Sequence, residues 1–314
     1  MGVTVKAIIF LSAINLLVRQ TFQVGDFCYD KESCNERSTH WSGICHTGKH
    51  QSPINLNDDN EQLNERRNSS KVGGGTSPIF LNTENPPKSK LATIHFNDQY
   101  KGPHFFIQNN GHTIAILLDA NLTSKARMIG YGLPEPYIFV QAHFHWSPNS
   151  YAGSEHTVNG QKYSMELHLV HYSSRYRSFE EATGASNDPR ALAVVAIFLE
   201  TIPYYEPQHK VLSAIVNHIP LGFQPKPQLV NEPLDLTPLL PTKGQVFYRY
   251  LGSLTTPGCA ETVVWTVFKD PILISNSIFQ VFQNVSDSGG QPLGTNDRSV
   301  QKVGDRDVER LILK

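Results

Sequence analysis

The run Ala191–Leu192–Ala193–Val194–Val195–Ala196–Ile197–Phe198–Leu199 is apolar at every position, so both faces of the element it forms must be covered. An amphipathic helix would show polar residues at a 3.6-residue period, and none occur here. The pattern is that of a central strand packed on both sides. Further short runs rich in β-branched and aromatic residues surround it: Ile94–His95–Phe96, Phe105–Phe106–Ile107, Thr113 to Leu118, Tyr137–Ile138–Phe139–Val140 and Val246 to Tyr250. Each is bounded by Gly, Pro, Asn or Asp clusters, which marks strands separated by turns. Helical patterning is confined to Ser178–Phe179–Glu180–Glu181–Ala182 and to Glu206 through Val216. The polar stretch from Asn57 to Ser70 and Gly73–Gly74–Gly75 reads as a surface loop, because the β texture resumes after it unchanged. A single, mainly β domain is expected.

Charge excludes several classes of partner. With 27 Lys+Arg against 28 Asp+Glu, the net charge of −1 gives no field that would draw in nucleic acid or an anionic membrane. Lys6 followed by the apolar run Ala7 through Val18 is too short to span a bilayer and suits a signal-peptide core, with cleavage near Gln20 to Val24. The expected organisation is a signal peptide over residues 1–23 and one domain over 24–314. The C-terminal residues Val308 to Lys314 carry neither a lipid-anchor signal nor a transmembrane stretch, so a secreted product without a membrane anchor is expected. Four cysteines, Cys28, Cys34, Cys45 and Cys259, favour disulfides in an exported chain, with three connectivities open. Glycosylation sequons begin at Asn68, Asn121 and Asn284.

The chemistry-bearing pattern is Gln141–Ala142–His143–Phe144–His145–Trp146, which continues the apolar run ending at Val140. On a strand, His143 and His145 share one face with Cα atoms about 6.5 Å apart, a spacing from which two imidazoles converge on a zinc ion. The pair alone is a weak signal. With 13 histidines in 314 residues, chance supplies roughly 0.5 such pairs. Tyr163–Ser164–Met165–Glu166–Leu167–His168–Leu169–Val170–His171 strengthens it, because Glu166, His168 and Val170 share a face of the next strand, and a hairpin sets that face beside the first. A buried ligand imidazole gives its second N–H to an acceptor, and Gln141 and Glu166 are placed to take it. Three histidines with an open fourth position describe a catalytic rather than a structural zinc site.

At Ser154–Glu155–His156, Val158, Tyr163 and Glu166 to Val170 the chain resembles the alpha-class carbonic anhydrases of secreted type. The likeness extends from Gln51–Ser52–Pro53–Ile54 through Asn110–Gly111–His112 and Leu254–Thr255–Thr256–Pro257 to Asn296–Asp297–Arg298. The resemblance implies a large, mostly antiparallel twisted sheet of about ten strands with a few short peripheral helices. It implies Zn2+ on His143, His145 and His168, with Gln141 and Glu166 behind them, and reversible hydration of carbon dioxide to bicarbonate and a proton by zinc hydroxide. Thr255 and Glu155 would orient the nucleophile, and His112 would shuttle protons, with Tyr29 and Asn110 on the polar side of the cleft. Val170, Val194, Leu254, Thr256, Val263 and Trp265 would form the substrate pocket. Sulfonamides and small anions would inhibit.

The resemblance also implies a Cys45–Cys259 disulfide, which leaves Cys28 and Cys34 as a local pair. Departures from the family pattern fall at Cys45, one residue farther from Gln51 than is usual, at Phe27, where a Trp is usual, at Ala115, where a polar residue is usual, and at Gly258, where a second proline is usual. Two other readings are a non-catalytic binding module on the same fold, which would lack ligand histidines, and a zinc esterase, which would need room for a larger substrate. Phosphate-binding Gly-rich loops and a Gly-x-Ser-x-Gly elbow are absent from the sequence.

Overall fold

The computed structural model describes residues 43–58, 90–102, 105–118, 126–202 and 209–314, together with Phe27, Tyr29 and Trp41. The expected signal peptide, Cys28, Cys34, Asn68, Asn121 and most of the loop between Asn57 and Gly75 lie outside the described residues.

Among the described residues twelve strands form one sheet. In spatial order it runs through β12 (Gln228–Leu229), β5 (Phe105–Asn109), β6 (Ile114–Leu118), β8 (Tyr137–Trp146) and β10 (Met165–Ser173). It continues through β11 (Leu192–Thr201), β15 (Val263–Ile274), β14 (Val246–Gly252), β16 (Glu309–Leu313) and β2 (Lys90–Ala92). Two short strands branch from this path, β7 (Arg127–Gly130) pairing with β8 and β3 (Ile94–Phe96) pairing with β7. Among the described residues every pairing in the sheet is antiparallel except β11 with β15 and β16 with β2. Two-stranded ribbons join β1 (Asn55–Leu56) to β9 (Thr157–Val158) and β4 (Lys101–Gly102) to β13 (Leu234–Asp235). The mainly β, mostly antiparallel expectation therefore holds, with twelve strands rather than about ten.

The strand β11 lies in the middle of this sheet, between β10 and β15. Its alternate residues feed two separate apolar clusters, Ala193, Val195, Ile197 and Leu199 on one face and Leu192, Val194, Ala196 and Phe198 on the other. This is why its sequence shows no polar alternation. Among the described residues there are four short α-helices: α1 (Ile44–Thr47), α2 (Phe179–Gly184), α3 (Lys210–Val216) and α4 (Asn276–Gln283). The Oγ of Ser178 caps α2 by accepting from the Glu181 N–H at 3.2 Å, which fixes the start that the sequence pattern marks. Of the helix expected from Glu206, the described part begins at Lys210, with the His209 ring accepting from the Leu212 N–H.

Candidate metal centre

Antiparallel register brings the histidines together. His143 on β8 lies directly opposite His168 on β10, and His145 lies opposite Glu166. The alternation of the pleat then puts all four on one face. One ring nitrogen from each of His143, His145 and His168 falls within 4.8 Å of the others. His145 and His168 are each 1% exposed.

Hydrogen bonds decide which nitrogen each ring has free. His143 Nδ1 lies 3.1 Å from Gln141 Oε1, His145 Nδ1 lies 2.8 Å from the Asn296 carbonyl oxygen, and His168 Nε2 lies 2.7 Å from Glu166 Oε1. In each case a ring N–H donates to an oxygen, so Nε2 of His143, Nε2 of His145 and Nδ1 of His168 keep their lone pairs. Nε2 of His145 and Nδ1 of His168 face each other at 3.1 Å. Two nitrogens bound to one tetrahedral zinc at 2.0–2.1 Å stand roughly 3.3 Å apart, so the donor set fits that ion. Burial lowers the pKa of all three imidazoles, and for His143 and His168 the neighbouring rings lower it further. Neutral imidazole is the metal-binding form.

The acceptor Glu166 belongs to a longer buried chain. Its Oε1 also takes His156 Nδ1 at 2.7 Å, and its Oε2 takes the His156 backbone N–H at 2.8 Å. With Nδ1 of His156 donating, Nε2 accepts from the Tyr250 hydroxyl at 2.6 Å, and that oxygen lies 3.0 Å from Ser52 Oγ. Burial alone would raise the Glu166 carboxyl. The donors of His156 and His168 outweigh it and hold the group well below the usual carboxylate range. The second possible metal cluster, His156, Glu166 and His168, has its facing atoms committed to this chain of bonds.

Glu155 is fully buried beside the cluster, 3.5 Å from His145 Nδ1. Burial lifts its pKa to about 7, although His168 and the Thr255 hydroxyl both favour the ionised form. Oε1 accepts from the Arg298 N–H at 2.8 Å, whereas Oε2 makes no hydrogen bond. Arg298 ties this corner down, its guanidinium donating to the Ser52 and Cys45 carbonyls. A Cys45–Cys259 disulfide closes across the same place and braces the turn between β14 and β15 that carries Thr255.

A cleft of about 740 Å3, partly open to solvent, reaches this cluster. Val170, Val194, Leu254, Thr255, Thr256 and Trp265 line it, as do His112, Asn110 and Tyr29 on the other side. Val263 does not; it is fully buried in the apolar cluster beneath, opposite Leu192 and Gly252. The Thr256 hydroxyl is buried without a hydrogen-bond partner. Tyr29 stays a neutral phenol, since burial and the nearby Glu155 raise its pKa. The His112 ring stacks on Phe27 with centroids 4.2 Å apart. Ala115 also lines the cleft, so the departure from a polar residue widens its apolar wall.

Sequence reasoning left three contributors without a role. The Asn296 carbonyl that orients His145 is backbone and has no side-chain signature. His156 and Tyr250, which hold Glu166, sit on separate elements, and only the rule that a ligand's acceptor is itself hydrogen-bonded points toward such partners.

The family profile described as eukaryotic-type carbonic anhydrase matches residues 67–312, most of the chain. The chain belongs to that family. A putative carbonic anhydrase 3 of Caenorhabditis elegans is 31% identical over 268 residues, covering 85% of this chain and 92% of the relative. Carbonic anhydrase 6 of Bos taurus is 37% identical over 245 residues, 75% of this chain and 73% of the relative. Carbonic anhydrase 6 of Homo sapiens is 32% identical over 311 residues, 97% of this chain and 89% of the relative. As a carbonic anhydrase family member the chain has its triad of histidines at the cleft, with His143 and His168 lining it and His145 buried beside them.

Proposed function

We propose that this chain is an active, zinc-dependent carbonic anhydrase that reversibly converts carbon dioxide and water to bicarbonate and a proton. The observation that carries this reading is that three imidazoles, each held by an acceptor on its other nitrogen, turn their free lone pairs to one point at the floor of a cleft with an apolar wall. Zinc bound there would supply Lewis acidity that lowers the pKa of water to about 7, the value known for carbonic anhydrases themselves.

The chain's own residues do the rest. His143, His145 and His168 hold the ion. Val170, Val194, Leu254 and Trp265 exclude water beside it and offer carbon dioxide an apolar seat. Thr255 would accept the hydrogen bond that orients the attacking oxygen and donate its own O–H to the Glu155 carboxylate, whose Oε2 has no other partner. Thr256 offers its unpartnered hydroxyl to a product oxygen. His112, at the cleft rim, relays the released proton outward, with Tyr29 and Asn110 ordering water between. Small anions and sulfonamides would compete at the open coordination position.

The Cys45–Cys259 disulfide supports an extracellular setting. With it go export by the apolar N-terminal run over residues 1–23, a Cys28–Cys34 pair and glycosylation at Asn68, Asn121 and Asn284. Asn284 is exposed at the end of α4. No helix among the described residues is long and apolar enough to cross a membrane.

Zinc stoichiometry tests the reading. Purified protein should carry one zinc per chain, and His143→Ala should weaken zinc binding at least 100-fold in chelator competition. Full zinc binding by that variant would overturn the ligand assignment.

A further inference from the structure

The register of β6 shows which of its side chains face the histidines. Ala115 lies directly opposite His143 on β8, and Leu117 lies directly opposite Gln141, whose partner on the far side is Val170. Directly opposed residues of an antiparallel pair project from the same face, so Ala115 and Leu117 stand beside the histidine cluster. Both line the cleft. Phe106 on β5, opposite Leu117, joins them in a small apolar cluster of its own. Beyond Phe106 the same row ends on the edge strand β12 at Leu229, which is 44% exposed.

The cleft therefore has two apolar walls. Val170, Val194, Leu254 and Trp265 form the first, and Ala115 with Leu117 forms the second, across β8 from it. Carbon dioxide is three atoms long and is served by the first wall alone. Among the described residues no Lys, Arg, Asp or Glu lines the cleft. A charged group laid along the second wall would lose its hydration without gaining a partner, whereas an uncharged chain gains by being buried there. Neighbouring strands stand about 4.8 Å apart, so a ligand whose head reaches the point between the histidines needs only one ring to arrive over Ala115. The family pattern has a polar residue at Ala115, so the second wall belongs to this chain rather than to that pattern.

We propose that Ala115 and Leu117 form a subsite for the uncharged alkyl or aryl tail of a ligand whose singly charged head takes the open metal position. The inference rests on the zinc reading above and adds to it a class of ligand, amphipathic monoanions.

Benzenesulfonamide and its 4-butyl derivative separate head from tail. In calorimetric titration of the zinc-loaded, full-length protein the butyl compound should bind about tenfold more tightly, since each fully buried methylene contributes roughly fourfold. The ratio should fall to about threefold or less in Ala115→Asn, which puts a polar group on the wall, and be kept in Ala115→Val. An unchanged ratio in Ala115→Asn would overturn the proposal, because the tail would then lie on the first wall. Leu117→Gln, checked for folding by near-ultraviolet circular dichroism, gives an independent reading: the ratio should fall there too, and an unchanged ratio would again overturn the proposal. Failure of both compounds to bind protein that carries one zinc per chain would instead overturn the metal reading, and the proposal with it.

Discussion

The Nε2 of His168 donates to Oε1 of Glu166 at 2.7 Å, and this one bond decides that His168 presents Nδ1 to the cluster. The carboxylate can do so because His156 supplies two further donors and keeps it ionised although it is fully buried.

Glu166→Gln is therefore expected to weaken zinc affinity 10- to 100-fold while preserving side-chain volume. The amide keeps one acceptor oxygen and cannot accept from His168 and both His156 donors as a carboxylate does. Chelator competition on the folded variant measures it.

Thr255→Ala should leave zinc content unchanged and lower turnover by about 100-fold, the scale of losing one positioning hydrogen bond at a reacting atom. The effect should appear in kcat rather than in metal binding. A combined measurement of zinc stoichiometry and carbon dioxide hydration separates the two.

If His112 is the proposed proton relay, His112→Ala should slow hydration at least tenfold in dilute buffer and recover when free imidazole is added in its place. The stacking of His112 on Phe27 gives the ring a defined resting place at the cleft rim. A rate independent of the substitution at low buffer concentration would remove the relay.

Much of this arrangement is legible in the sequence because strands have a two-residue period. Spacing alone assigns His143 and His145 to one face and His168 to the matching face of the next strand, with Glu166 and Gln141 behind them. The continuous apolar run of β11 likewise announces a strand covered on both sides. What stays hidden depends on position along a strand rather than face. Val263 and Trp265 share a face of β15, yet only Trp265 reaches the cleft. The Asn296 carbonyl is backbone and invisible to residue type. Arg249 shows the opposite failure, since a charged residue alternating with apolar ones reads as solvent-facing, and here it is buried.

Acid sensitivity has a source outside the histidine cluster. Burial depresses the His171 pKa from 6.5 to about 4 and outweighs the Leu169 carbonyl, which accepts from Nδ1 and favours the charged ring; the Tyr100 hydroxyl lies 2.6 Å from Nε2. Above pH 6.5 the ring is neutral in both folded and unfolded chains. As pH falls from 6.5 toward 4 the unfolded chain takes up the proton first, so stability declines across that window. The full loss is about 3 kcal/mol, because each tenfold difference in proton affinity between the two states is worth roughly 1.4 kcal/mol. Urea unfolding at pH 7.5 and 4.5 should show it, and His171→Gln should flatten this part of the pH dependence.

Stopped-flow carbon dioxide hydration tests the central claim most directly, run on the purified protein as isolated, after zinc removal by a chelator, and after zinc is restored. Activity that disappears with the metal and returns with one zinc per chain is the predicted result. Absence of activity with zinc fully bound, or activity that survives complete zinc removal, would contradict the account.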